Sequence, residues 1–81
     1  MEVKMKMPDL STTEGSDIAI LKWLVDVGAP VQRGQVILEV ETDKAVQEIE
    51  ATVTGTLTAK LVEPEQRVAV GELIAAIEVR R

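Results

Sequence analysis

Residues 39–50 read EVETDKAVQEIE, and their pattern is the most informative in the chain about its fold. Apolar and acidic residues alternate on both sides of Asp43 and Lys44, which is the period-two pattern of half-buried β-strands. Two such strands separated by two polar residues predict a β-hairpin with Asp43 and Lys44 at its tip. Asp is common in turns, but Asn-Gly and Asp-Gly are the preferred two-residue tips. A preference for turn formation therefore does not explain the lysine at this position. The lysine therefore indicates a functional reason for this tip.

The charges around the tip limit the roles that Lys44 can have. Lys44 is the only cation in residues 39–50, and five carboxylates surround it: Glu39, Glu41, Asp43, Glu48 and Glu50. A catalytic lysine needs burial or a neighbouring cation, whereas these surroundings favour the ammonium form. Lys44 is therefore not predicted to be a catalytic amine but a residue that another enzyme can reach and modify. The alternative is a solvated hairpin whose carboxylates only keep its edges soluble.

The rest of the chain has the same strand character. Short apolar runs are separated by Gly, Pro, Asp or Glu, and no segment carries an i, i+3, i+4 apolar stripe over three turns. The fold class is therefore predicted to be all-β, with Met5 and Met7 facing the core from the first strand. The candidate strands are residues 3–7, 18–25, 36–42, 45–51, 55–62 and 73–79.

An internal repeat relates the two sides of the hairpin. When the sequence is shifted by 37 positions, six residues coincide with identical ones: Leu24, Val25, Val31, Gly34, Ile37 and Glu41 with Leu61, Val62, Val68, Gly71, Ile74 and Glu78. Chance similarity among many aliphatic residues is the alternative explanation. The repeat predicts one domain, residues 1–81, with two similar four-stranded antiparallel halves related by a pseudo-two-fold axis, whose sheets pack face to face as a small flattened β-sandwich or barrel. Gly34 and Gly71 are predicted turn positions with positive φ.

Composition excludes several kinds of protein. The 81 residues are 46% hydrophobic but contain no His, Cys, Phe or Tyr and a single Trp, and the net charge is −5. A disulfide framework, a thiolate metal site and a histidine base are therefore unavailable. An acidic chain with one aromatic residue is unsuited to nucleic acid or to an anionic membrane surface. No signal or transmembrane segment is predicted.

These motifs resemble those of one family. The chain is similar, nearly end to end, to a lipoyl domain of the 2-oxo acid dehydrogenase acyltransferases, within the biotinyl/lipoyl carrier family. The similar residues are Met7-Pro8-Asp9-Leu10, Trp23, Gly28, Val31, Gly34, the tip segment 39–45, Gly55, Val68 and Gly71. The chain departs from the family pattern at Ser11-Thr12-Thr13, at Ala51-Thr52-Val53 and at Glu65, all in turns or loops.

The resemblance implies a function and a set of partners. It implies that lipoic acid is attached covalently to Lys44 and that the domain carries acyl groups and electrons without an active site of its own. The implied partners are a lipoate ligase or lipoyl transferase, a thiamin-dependent 2-oxo acid decarboxylase, the acyltransferase core and dihydrolipoyl dehydrogenase. Glu41, Thr42, Asp43 and Ala45, with the loop 9–17, are the expected recognition residues. The isolated domain is expected to be monomeric, in a bacterial cytoplasm or a mitochondrial matrix.

Two alternatives belong to other functional classes. A biotin carrier of the same fold would place biotin on the lysine of a Met-Lys-Met hairpin, and the chain contains Met5-Lys6-Met7. That tripeptide lies in the first strand, however, with no half-domain before it to make a hairpin. The other alternative is an unmodified β-sandwich interaction module, in which Lys44 is dispensable.

Overall fold

The computed structural model describes residues 1–10, 18–42 and 45–79, and its regular elements there are eight β-strands. They are β1 (Glu2–Lys6), β2 (Ile18–Trp23), β3 (Pro30–Val31), β4 (Val36–Glu41), β5 (Val46–Glu50), β6 (Gly55–Lys60), β7 (Arg67–Val68) and β8 (Leu73–Glu78). Six of them correspond to the predicted runs, although β2 and β6 each end two residues before the apolar run does. β3 and β7 were not among the candidate strands, because a two-residue strand is too short to show an alternation.

The strands form two four-stranded antiparallel sheets, which confirms the predicted fold class. One sheet has the order β1-β8-β6-β3 and the other the order β5-β4-β2-β7. Each half of the sequence therefore contributes two strands to each sheet, so the halves are interleaved and neither forms a sheet by itself. Exchanging each strand of the first half with its equivalent in the second converts one sheet order into the other. The pseudo-two-fold relation is thus a property of the topology as well as of the sequence.

The repeat of 37 residues holds at the level of single hydrogen bonds. Strands β2, β3 and β4 begin and end 37 residues before β6, β7 and β8. The N–H of Gly34 donates to the carbonyl of Ala51 at 2.9 Å, and the N–H of Gly71 donates to that of Met7, also at 2.9 Å. Strands β1 and β5 are 44 residues apart, because the β1–β2 connection is seven residues longer than its counterpart. Of the predicted recognition loop 9–17 in this connection, residues 11–17 lie outside the described residues.

The core between the sheets is aliphatic, as the composition requires. Met5 and Met7 are 3% and 1% exposed, which confirms that they face inward. Trp23 packs partly buried against this core. Its indole N–H donates to the carbonyl of Val62 at 3.1 Å, and the Lys60 ammonium lies 5.6 Å from the ring centroid. Because Trp23 and Lys60 are themselves 37 residues apart, this contact joins equivalent positions of the two halves.

Three turn glycines have positive φ, and one equivalent turn position does not hold a glycine. Gly34 and Gly71 have φ of 90° and 93°, as predicted. Gly28 has φ of 94°, and Glu65, 37 residues later, has φ of 72°. The N–H groups of Gly28 and Glu65 donate to the carbonyls of Leu57 and Ile20, each at 2.7 Å. The second half therefore keeps the backbone of the turn although its residue is not the one that favours it.

Candidate functional site

The predicted hairpin is formed by β4 and β5. The two strands pair antiparallel from Val36 opposite Glu50 to Glu41 opposite Val46, with one irregularity between Val36 and Leu38. Asp43 and Lys44 lie outside the described residues, so their roles remain predictions. The structure does describe the residues on both sides of them, and these define what holds the tip.

Thr42 and Ala45 close the hairpin immediately below the tip. The N–H of Thr42 donates to the carbonyl of Ala45 at 2.9 Å. The Thr42 hydroxyl donates to the same carbonyl at 3.1 Å and accepts from the Ala45 N–H at 3.3 Å. Thr42 is 5% exposed and is the one buried polar residue in the part of the chain that the structure describes. Its hydroxyl is buried because it has partners, which is the usual condition for a polar group inside a protein.

Four carboxylates of the hairpin, those of Glu39, Glu41, Glu48 and Glu50, have no partners in the described residues. Glu39 lies directly opposite Glu48 across the two strands. Glu41, Glu48 and Glu50 are exposed, and Glu39 is half-buried. None of the four makes a side-chain hydrogen bond or an ion pair within residues 1–10, 18–42 and 45–79. Like charges directly opposite each other are destabilising, so the pair of Glu39 and Glu48 does not stabilise the hairpin.

Val46 is an exposed apolar residue beside the tip. It is 54% exposed and lies opposite Glu41. Sequence reasoning did not select it as a recognition residue, although a signal was available. Val46 shares its parity with Glu48 and Glu50, which places all three on the outer face of β5.

The arrangement suits a group attached at the tip that other proteins must reach. The neighbours Glu41, Ala45 and Val46 are exposed, so the described part of the hairpin leaves both sides of the tip open to solvent. Within that part of the chain, no group of three or more His, Cys, Asp or Glu side chains is placed to hold a metal ion. No helix there is long and apolar enough to cross a membrane. Of the predicted site residues, the structure places Glu41 and Ala45 on the surface and Thr42 beneath them.

Comparison with known proteins finds a matching family model and similar segments in acyltransferase components of two dehydrogenase complexes. A family model for biotin and lipoyl attachment domains, described as "Biotin-requiring enzyme", matches residues 3–77. The chain is 43% identical over 81 residues to the dihydrolipoyllysine-residue acetyltransferase component of the pyruvate dehydrogenase complex of Zymomonas mobilis, covering 95% of this chain and 18% of that protein. It is 44% identical over 77 residues to the lipoamide acyltransferase component of the branched-chain alpha-keto acid dehydrogenase complex of Bacillus subtilis, covering 93% and 18%.

A solved structure has the same fold. The solution structure of the lipoyl domain of the 2-oxoglutarate dehydrogenase complex from Azotobacter vinelandii matches with a TM-score of 0.65 at 25% identity, covering 98% of this chain and 96% of that one. The likeness therefore extends over a whole solved domain, whereas the chain spans less than a fifth of the length of the two acyltransferase components.

Proposed function

The chain belongs to the biotinyl/lipoyl carrier family and is a lipoyl-type domain, and on that premise we propose that Lys44 is the residue to which lipoic acid is attached. The observation that carries the proposal is the hairpin itself. Its strands pair up to Glu41 and Val46, and Thr42 and Ala45 are hydrogen-bonded across the two positions that Asp43 and Lys44 occupy. Lys44 is the lysine that the sequence places between those two closing residues.

Lipoyl attachment is favoured over biotin by two independent arguments. The relatives described above are named for lipoyl-lysine or lipoamide chemistry. In addition, Lys6 of the Met5-Lys6-Met7 tripeptide lies in β1 and pairs with Leu73 of β8. A lysine inside a paired strand does not have the hairpin-tip setting that a biotin carrier would require.

The protein holds the attachment lysine where other enzymes can reach it and provides the surface that they recognise. It has no active site of its own. The lipoyl group supplies a dithiolane that accepts acyl groups and electrons, chemistry for which the chain has no thiol. The paired strands β4 and β5 hold the attachment lysine at one end of a rigid sheet. Of the predicted recognition residues, Glu41, Asp43 and Ala45 would contact partner enzymes, whereas Thr42 is buried beneath them and supports them.

The partners follow from membership of a 2-oxo acid dehydrogenase complex. A lipoate ligase or lipoyl transferase modifies the domain. The modified domain then serves, in turn, the thiamin-dependent decarboxylase, the acyltransferase core and dihydrolipoyl dehydrogenase. Attachment to the rest of an acyltransferase component would raise the effective concentration of the tip at these sites to about the millimolar range.

Mass spectrometry of the intact protein tests the proposal. The chain is co-expressed with a lipoate ligase and, separately, with a biotin ligase. We expect the parent chain to gain the lipoyl mass with the first ligase and no mass with the second. Lys44→Gln should gain neither, whereas the matched control Lys6→Gln should be lipoylated like the parent. An unmodified parent, or a lipoyl mass that persists in Lys44→Gln, would refute the proposal.

A further inference from the structure

The Thr42 hydroxyl ties the two strands together at the last residue pair before the tip. The backbone bond from Thr42 to the Ala45 carbonyl would suffice to close a ladder. The hydroxyl adds a second donor to the same carbonyl, at 3.1 Å, and offers an acceptor to the Ala45 N–H, at 3.3 Å. Both polar backbone groups of Ala45, the residue that follows Lys44, are therefore held by Thr42.

The pseudo-two-fold axis supplies an internal comparison for this contact. The positions equivalent to Thr42 and Ala45 are Val79 and Met1, where the N–H of Val79 donates to the carbonyl of Met1 at 2.7 Å. Valine has no hydroxyl, but the N-terminal ammonium of Met1 donates to the carbonyl of Val79 at 3.2 Å and to Glu78 Oε2 at 2.5 Å, so this strand end has additional bonds of a different kind. The fold can thus close these strand ends without a threonine. At the hairpin end the chain continues through the tip, and the Thr42 hydroxyl makes the additional bonds, both of them to the residue that follows the hairpin lysine.

A lysine-containing tip of two residues has a physical need for such a restraint. Asp-Lys lacks the positive-φ preference of Asn-Gly or Asp-Gly, so its backbone has less intrinsic preference for a tight hairpin. When an enzyme binds only one tip conformation, its apparent affinity is the intrinsic affinity multiplied by the fraction of molecules in that conformation. A group that fixes Ala45 limits the conformations open to the adjoining Lys44.

We propose that Thr42 is a positioning residue whose hydroxyl holds the hairpin tip in the conformation that the lipoate ligase accepts. This inference rests on the proposed attachment of lipoic acid to Lys44. It assigns to Thr42 a role in the affinity of the ligase for the domain, separate from any contribution to folding.

The test compares Thr42→Val, which keeps the shape and removes the hydroxyl, with Thr42→Ser, which keeps the hydroxyl. Steady-state lipoylation of the 81-residue chain by a lipoate ligase is measured at a temperature where every variant is folded. We expect Thr42→Val to raise KM about 5- to 10-fold with kcat little changed, since both hydrogen bonds of the hydroxyl to Ala45 are lost from the competent conformation. Thr42→Ser should stay within about twofold of the parent, because serine retains the donor and acceptor.

Two controls separate positioning from stability. Ile74→Val deletes one buried methyl group in β8, on the other sheet, and should lower stability while leaving KM unchanged. Amide hydrogen exchange at Ala45 should accelerate in Thr42→Val and not in Thr42→Ser. A parent-like KM in Thr42→Val, an equal rise in Thr42→Ser, or a similar rise in Ile74→Val would overturn the inference. If the parent is not lipoylated at all, the proposed function fails, and unchanged exchange at Ala45 in Thr42→Val would independently refute the role of the hydroxyl.

Discussion

At the level of single residues, the two halves form equivalent turns with different amino acids. Gly28 and Glu65 are equivalent and both have positive φ, 94° and 72°. A non-glycine residue in this region costs about 1–2 kcal/mol, because its Cβ approaches the following carbonyl. The second half therefore stores strain at Glu65 that the first half avoids.

Exchanging the two residue types should change stability in opposite directions. Glu65→Gly releases the strain but adds freedom to the unfolded chain, so we expect the free energy of unfolding to rise by about 0.5 kcal/mol. Gly28→Glu introduces the strain and should lower it by about 1–2 kcal/mol. Urea denaturation measures both. A loss of stability in Glu65→Gly as large as that in Gly28→Glu would contradict the account.

How much the sequence predicts at this scale depends on what each residue type reveals. Gly34 and Gly71 stood at matched positions before matched strands, so their positive φ could be predicted and is confirmed. Glu65 stood out only as a departure from the family pattern, because nothing in a glutamate indicates a left-handed backbone. The burial of Thr42 was equally hidden, since threonine at a hairpin end is usually exposed and only the contacts with Ala45 explain it.

At the scale of the element, the β4–β5 hairpin presents carboxylates that do not stabilise it. Glu39 and Glu48 face each other, and Glu41 stands exposed beside the tip. Charges at the rim of an interface mainly change the rate of association with a partner of opposite charge. The acidic side chains of the hairpin are therefore expected to act in encounters with partner enzymes.

Reversing the charges nearest the tip should impair those encounters without unfolding the domain. For Glu41→Lys combined with Asp43→Lys, we expect the decarboxylase of the cognate complex to acylate the lipoylated domain about 10-fold more slowly at low salt. The matched control is Glu78→Lys, since Glu78 is the equivalent of Glu41 in the other half and, among the described residues, pairs with the exposed N-terminal ammonium. Equal acylation rates in the charge-reversed and parent domains would exclude this role for the carboxylates.

The hairpin was predictable as an element because alternation on both sides of a polar pair indicates two strands and a turn. The two-residue strands β3 and β7 were not, because their pairing with β6 and β2 is decided by tertiary contacts. Val46 was overlooked for a different reason. An apolar residue in an alternating strand is ordinarily assigned to the core, and only strict attention to parity places it on the outer face.

At the scale of the whole molecule, interleaving of the halves should make unfolding cooperative. Each half supplies two strands to each sheet, so neither half can bury its apolar face without the other. Trp23, in the first half, is held by Val62 and lies beside Lys60, both in the second half. Its fluorescence therefore reports on the contact between the halves.

We expect the unfolding transition measured by Trp23 fluorescence to coincide with that measured by far-ultraviolet circular dichroism. Coincidence of two probes is the test of a two-state transition in a small domain. Both curves should fit one midpoint in urea and one slope. A fluorescence change that precedes the loss of strand signal would show that the halves separate before their strands unfold, contrary to an interleaved core.

The repeat made the pseudo-two-fold relation predictable, but it did not indicate which strands share a sheet. A sequence period states that two segments have similar environments, and this holds whether each half forms its own sheet or both halves exchange strands. Backbone pairing decides between the two, and β1 next to β8 and β2 next to β7 show that the strands are exchanged. The sequence therefore predicted the symmetry, and the structure added the interleaving.

Peptide mapping of the lipoylated chain tests whether Lys44 is the attachment lysine. The chain is modified by a lipoate ligase, digested with a protease that cuts at acidic residues, and its peptides are fragmented in a mass spectrometer. We expect the lipoyl mass on Lys44 and on none of the other lysines, Lys4, Lys6, Lys22 and Lys60. A lipoyl mass on Lys6, or on any lysine other than Lys44, would contradict this assignment.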